Sequence, residues 1–178
     1  MDEEIFAVDG SAPTSLLPTS RALFYGGVFH PPLSGRNTDL YCPATGEALG
    51  SVADAGASDV DAAVEAARAA FRSWSRVKPL GRADRLRAMA ASLRSHGEEL
   101  ALIDALDCGN PVAEMLRDIE MGARGLELFA GLVTEIKGET IPVSEEHLDY
   151  TIREPLGVVG RIIAYNHPIM FATMRCAA

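Results

Sequence analysis

The 178-residue chain is poor in aromatic residues, at 6% with a single tryptophan, and holds only three cysteines, Cys42, Cys108 and Cys176. An odd number with no C-x-x-C spacing argues against both a disulfide framework and a zinc site, and is read as free thiols in a reducing compartment. No uncharged apolar run of about 18 residues is present, so no membrane span is indicated. The nearest candidate, Val158 to Met174, is interrupted by Arg161, Asn166, His167 and Pro168. Basic residues are few: Lys+Arg 16 against Asp+Glu 25 gives a net charge of −9 with no basic block. That disfavours nucleic acid or an anionic membrane as a partner. The opening Met-Asp-Glu-Glu has the wrong charge for a secretory or transit leader, so the cytoplasm is the expected compartment. No repeat of 20 to 50 residues stands out. What remains, 48% apolar and 23% charged residues, is ordinary globular composition at a length that fits one domain or at most two small ones.

Along the chain, residues 1 to about 37 show no sustained period, and Gly26-Gly27, Pro31-Pro32 and Ser34-Gly35 break them into extended chain and turns. Leu40–Cys42 and Ala48–Val52 flank the turn Pro43-Ala-Thr-Gly46 and read as a hairpin. A first helix is expected from Ser58 as N-cap, with Asp61 three residues on and Val60, Val64, Ala67, Phe71 and Trp74 on one face. A second runs from about Gly81 to His96 with Leu86, Met89 and Leu93 inward. A third follows Gly97, carries Leu100, Ile103 and Leu106, and stops at Gly109-Asn110-Pro111. A fourth begins near Pro111 and carries Val112, Met115, Ile119, Leu126, Phe129, Val133 and Ile136 to a stop at Lys137-Gly138. Gly122 and Gly125 inside it would let another helix approach closely.

After Gly138 the period shortens. Glu139–Val143, with Pro142 pointing to an edge, and the alternating Leu148–Arg153 read as strands. Val158 to Ala164, apolar except for Arg161, reads as a buried strand of the parallel kind. Tyr165-Asn166-His167-Pro168 breaks it, and a helix begins at Pro168. One core strand cannot make a parallel sheet, so the α/β architecture reads as incomplete and the chain as a piece of a longer one.

The strand-to-helix turn at 164–168 is the best site candidate, because ligands of open α/β sheets bind outside the carboxyl ends of strands near helix N-termini. Asn166 lies there. Its amide is an uncharged donor suited to a developing oxyanion, although an asparagine at such a place also serves as a plain helix cap.

The run Glu154-Pro-Leu-Gly-Val-Val-Gly-Arg-Ile-Ile-Ala-Tyr-Asn-His-Pro168 resembles a signature of the NAD(P)-dependent aldehyde dehydrogenases, P-x-G-V-x-x-x-I-x-P-W-N-F-P. Other segments resemble that family in its order. They are the hairpin turn Pro43-Ala-Thr-Gly-Glu47, the helix Asp59–Phe71 with Trp74, the turn Asp107-Cys-Gly-Asn-Pro111, and the strand pair between Gly138 and Arg153. The resemblance covers about residue 25 to the end. It implies an α/β chain that is the N-terminal part of the aldehyde dehydrogenase fold: a helical layer, a bridging hairpin and the first strand of a Rossmann-like parallel sheet. The implied divisions are an irregular arm (1–37), a hairpin and helices of the coenzyme domain (38–137), a bridging and oligomerisation hairpin (138–154) and the start of the dinucleotide-binding sheet (155–178).

The implied reaction is oxidation of an aldehyde to a carboxylic acid through a thiohemiacetal and a thioester, with NAD or NADP as cofactor and a homo-oligomer, dimer or tetramer, as the working form. Asn166 matches the oxyanion donor. Ile162, Ile163, Ala164 and Tyr165 match the strand end that lines the dinucleotide site, and Arg175 stands where the family usually has Lys. Asp107 matches a turn that in some members holds a monovalent cation through backbone oxygens; no metal site proper is expected.

Departures are plain. Ala164 and Tyr165 replace the usual Pro and Trp, and His167 replaces an aromatic residue and reads as a pocket wall or surface group. The family nucleophile and its glutamate base lie downstream of this asparagine, so Cys42, Cys108 and Cys176 read as structural or incidental and the chain alone as inactive. The absence of G-x-G-x-x-G decides nothing, since this family's coenzyme loop also lies downstream. Three alternatives stand beside this reading: a helical interaction module, a relative that reduces acyl phosphates or acyl-CoA, and a truncated non-catalytic homologue that binds through the hairpin.

Overall fold

The computed structural model describes residues 14–177. The first thirteen residues of the expected irregular arm lie outside them. A short 3-10 turn at Thr14–Leu16 leads into a hairpin of β1 (Leu23–Tyr25) and β2 (Val28–His30), and a second hairpin pairs β3 (Asn37–Tyr41) with β4 (Ala48–Ala53). Helices α1 (Ala57–Trp74), α2 (Pro79–Ser95), α3 (Gly97–Cys108) and α4 (Val112–Leu132) follow. Next come a third hairpin, β5 (Thr140–Ser144) with β6 (His147–Tyr150), and α5 (Pro168–Ala177). Each of the three sheets has two antiparallel strands.

The core is helical. α4 lies at its centre and packs against α2, α3 and α5. Ala90 and Leu93 of α2, Ala101 of α3, and Met115, Ile119, Ala123 and Leu126 of α4 form one buried cluster, with Ile169 and Ala177 of α5 laid against it. The small residues at 90, 101 and 123 let the helix axes approach while leucine, isoleucine and methionine fill the space between. A second cluster joins the β3–β4 hairpin to α3 through Cys42, Leu49 and Leu106. Gly109 closes α3 in the left-handed conformation at φ +78°, and Pro43 of the hairpin turn lies against it, so a Cβ there would sit 2.9 Å from Pro43 Cγ.

Gly122 and Gly125 do mark a close helix approach. A Cβ on Gly122 would stand 2.3 Å from Thr173 Oγ1, and one on Gly125 would stand 3.0 Å from Met174 Cγ, both on α5. The helix at Pro168 forms as expected, with proline in the first turn where its missing N–H is harmless.

Several expectations need correction. The stretch from Val158 to Ala164 is not a strand: it has no sheet pairing and its residues are exposed, Ile162 completely. A lone strand has no neighbour to pair its backbone hydrogen bonds or cover its faces, so the apolar composition alone does not make one here. The first helix is capped by Gly56, and Asp59, not Asp61, completes the cap: its carboxylate accepts the Gly56 N–H at 2.8 Å and the Leu33 N–H at 2.9 Å. These donated hydrogen bonds, Leu33 first, hold the Asp59 carboxyl below the usual range.

The face of α1 is not buried, since Val60 and Trp74 are 54% and 42% exposed, and Met89 of α2 is exposed as well. α4 ends at Leu132, short of Lys137-Gly138, and Ile136 is exposed beyond it. The strand expected at Leu148–Arg153 forms only as His147–Tyr150, and both strands of this hairpin are exposed along their whole length. Finally, Gly26-Gly27 turns a true hairpin inside the segment expected to be irregular, both glycines at positive φ as a two-residue hairpin turn requires.

Candidate active site

The turn at 165–167 is fixed from below by three side chains of α3, α4 and the connection between them. The Asn110 amide donates to the main-chain carbonyl of Asn166 at 2.6 Å. Asp104 of α3, 8% exposed, accepts the Ile169 N–H at 3.0 Å. Asp118 of α4, also buried, meets His167 Nδ1 at 2.5 Å. The turn is therefore anchored at the Asn166 carbonyl, at the His167 ring and at the Ile169 N–H.

Each anchor has a local cause. Ile169 sits in the first turn of α5, whose leading N–H groups lack helical partners and attract an acceptor. A carboxylate there also meets the positive end of the helix dipole. Pro168 contributes no N–H, which leaves that of Ile169 as the first to satisfy. The His167 carbonyl accepts the Phe171 N–H at 3.1 Å, so His167 is the capping residue, and its ring lies edge-on to Phe171 at 6.2 Å.

Burial pushes the Asp104 carboxyl above the usual aspartate value, and the nearby Asp107 and Asp118 charges push the same way. The Ile169 N–H and His167 only partly offset them. The Cys108 thiol is likewise pushed up by burial, opposite to what a nucleophile needs, and points to Met115 Sδ at 3.8 Å. For Cys42 burial is the largest single influence, but hydrogen bonds from the Thr45 hydroxyl and from the Thr45 and Ala44 N–H groups together outweigh it and lower the thiol. Cys42 is wholly buried beneath the hairpin, and Cys176 is exposed on α5.

The residues singled out from the sequence are placed as follows. Asn166 is exposed at the mouth of α5, with its carbonyl held and its side chain at the surface. Ile162, Ile163 and Ala164 lie in the segment leading to it, and Tyr165 is 88% exposed beside it. Arg175 is exposed in the last turn of α5. His167 is not a free surface group: it is half-buried and paired with Asp118.

Asp104, Asn110 and Asp118 were not among the expected site residues. A signal for Asp118 was present in the sequence: a carboxylate on the stripe Met115, Ile119, Gly122, Leu126, where burial requires a partner. Asn110 carried no such mark beyond its place in a helix-ending turn. Among the described residues no group of three His, Cys, Asp or Glu is placed to hold a metal ion, and no helix is long and apolar enough to cross a membrane.

The pattern of the aldehyde dehydrogenase family matches residues 30–178. The chain is 45% identical over 165 residues to the aldehyde dehydrogenase tropH of Talaromyces stipitatus, covering 91% of this chain and 32% of that protein. Its fold is similar to that of an aldehyde dehydrogenase from Bacillus cereus solved as an NAD+ complex. There the TM-score is 0.86 at 37% identity, covering 92% of this chain and 34% of the other. It is also similar to the indole-3-acetaldehyde dehydrogenase AldA of P. syringae, solved as a mutant with NAD+ and IAA, with TM-score 0.84, 35% identity, and 90% and 33% covered. The chain belongs to the aldehyde dehydrogenase family, and it spans about a third of the length of the relatives it matches.

Proposed function

We propose that this chain is the N-terminal part of an enzyme that oxidises an aldehyde to a carboxylic acid with NAD+ or NADP+, and that Asn166 is its oxyanion donor. The observation that carries the reading is the position of Asn166: exposed at the N-terminus of α5, with its main chain fixed by Asn110. A donor held in place before the reaction needs no reorganisation as charge develops. When a thiolate adds to the aldehyde carbon, the carbonyl π pair moves to oxygen. The Asn166 amide then donates to that oxygen, and the first turn of α5 adds its positive end. The same donor serves again when water attacks the thioester. Cys42 and Cys108 are unsuited to supply the thiolate, being buried or held against Met115.

The residues matched to the dinucleotide site fit such a group in kind. The main chain of Ile162, Ile163 and Ala164 lies outside any sheet and offers carbonyl acceptors, and Arg175 offers an exposed cationic donor on α5. Hydroxyl and phosphate groups pair with these two kinds of partner. When bound, NAD(P)+ would supply the hydride acceptor, and the exposed Tyr165 ring would be available to hold it. The exposed β5–β6 hairpin supports an oligomer, since its wholly uncovered strands have edges that another chain would pair.

The test is a single-turnover measurement of NADH formation in the full-length protein. Asn166→Ala is expected to lower the chemical rate by roughly 10²–10³ and to change substrate affinity little, as for other oxyanion donors. An unchanged rate removes Asn166 from the mechanism.

A further inference from the structure

Resting on the reading of Asn166 as oxyanion donor, we infer that Asn110 is a positioning residue for it, acting through the main chain of the 165–167 turn. The observation is the 2.6 Å hydrogen bond from the Asn110 side-chain amide to the Asn166 carbonyl, which links the turn that closes α3 to the turn that opens α5.

The neighbouring anchors make this bond decisive. His167 is tied through its ring to Asp118 at 2.5 Å and the Ile169 N–H to Asp104 at 3.0 Å, so the start of α5 is held by α3 and α4 while the 166–167 peptide itself is held by Asn110. On the other side, 158–164 pairs with no strand among the described residues. The peptide of Asn166 is therefore the junction between a helix start tied to α3 and α4 and an approach that lies outside any sheet. Its carbonyl direction sets the ψ of Asn166 and with it the direction of Cα–Cβ. A displacement of about 1 Å at a reacting group lowers rates by as much as 10²-fold. Asn110 itself is well placed to act as a fixed point: it follows Gly109 in the left-handed turn docked on Pro43 and precedes Pro111, whose φ is locked.

Asn110 touches no reacting atom, so its effect should appear only through Asn166. In the full-length enzyme, Asn110→Ala and the isosteric Asn110→Asp, which replaces the amide donor by an acceptor carboxylate, are expected to slow single-turnover NADH formation about tenfold. That is the size of one charge-free hydrogen bond. KM for the aldehyde and for the dinucleotide should stay within about twofold. In an Asn166→Ala background the same substitutions should change the rate less than about twofold, because the group they position is gone. Full slowing in that background, or wild-type rates in the single variants, overturns the inference. If Asn166→Ala alone leaves the rate unchanged, the reading of Asn166 falls; if it slows the reaction while Asn110→Ala and Asn110→Asp do not, only the positioning role falls.

Discussion

The Asn110 side chain and the Asn166 carbonyl meet at 2.6 Å across 56 residues of chain. This contact joins two turns that the sequence shows as separate helix-breaking signals. It places the exposed asparagine over the α3–α4 corner, beside the buried acids Asp104 and Asp118.

One prediction concerns the chemistry of Asn166 rather than its size. Asn166→Asp preserves the shape but puts a carboxylate acceptor where an oxyanion needs a donor. In the full-length enzyme its single-turnover rate should fall at least as far as that of Asn166→Ala, roughly 10²–10³ below wild type. Thermal melting should be nearly unchanged, since the side chain is at the surface. A rate for the aspartate variant well above that of the alanine variant would mean the amide donates nothing to the transition state.

A second prediction concerns the α4–α5 contact. Replacing Gly122 by alanine gains about 1 kcal/mol of helix propensity but drives a Cβ to within 2.3 Å of Thr173 Oγ1. That hydroxyl is not free to yield, because it donates to the Ile169 carbonyl at 2.7 Å. Overpacking of this kind costs roughly 1–3 kcal/mol, so the net change should be destabilising. Gly125→Ala faces the flexible Met174 chain and should be near neutral. Adding Thr173→Ala to Gly122→Ala should recover part of the loss. Chemical denaturation of the three variants would show the order.

The helices were largely legible because their signals are local. Apolar spacing, Gly109 and Pro111 at the α3–α4 junction, and Pro168 each act within a turn of where they stand. Even the close α4–α5 approach left a trace, since Gly122 and Gly125 have no other reason to interrupt a helix. What escaped was non-local. The periodic face of α1 promised burial, but periodicity says only that a face is apolar, not that this segment of chain covers it. Val158 to Ala164 has strand composition and no strand partners. The pairing of Asp118 with His167 spans 49 residues and unites a helix interior with a turn. Single-sequence reading can mark Asp118 as needing a partner and cannot say which.

A third prediction uses the ion network between α2 and α4. Arg94 reaches Glu120 at 2.9 Å and Glu127 at 2.6 Å, and Arg124 adds to Glu120 at 2.8 Å. The Arg94 and Arg124 hydrogen bonds lower the Glu120 carboxyl from 4.5 to about 2. A folded-state value below the unfolded one contributes stability that is present above the unfolded pKa and is lost as pH falls through the folded one. Arg94→Gln should therefore melt below wild type near neutral pH. The gap should close as pH drops from 4.5 toward 2. It should also narrow in about 1 M salt, because the groups are partly exposed and screened. A gap that persists at low pH would assign the loss to packing of the arginine stem.

The last prediction turns on Asp104, whose sign is the reverse. Burial raises its carboxyl above the usual 3.8, so between that value and the folded one the native state holds more protons than the unfolded state. Its contribution to stability thus falls as pH rises through that window and stays low above it. Asp104→Asn keeps an oxygen to accept the Ile169 N–H while removing the charge that burial disfavours. At neutral pH the asparagine variant should melt above wild type, and the difference should shrink as pH is lowered toward 3.8, where the native aspartate becomes neutral too. The opposing force is the α5 dipole, which favours an anion at that N–H by about 0.3–1 kcal/mol. A variant that melts below wild type at neutral pH would show that the dipole and the Ile169 N–H bond outweigh burial at this corner.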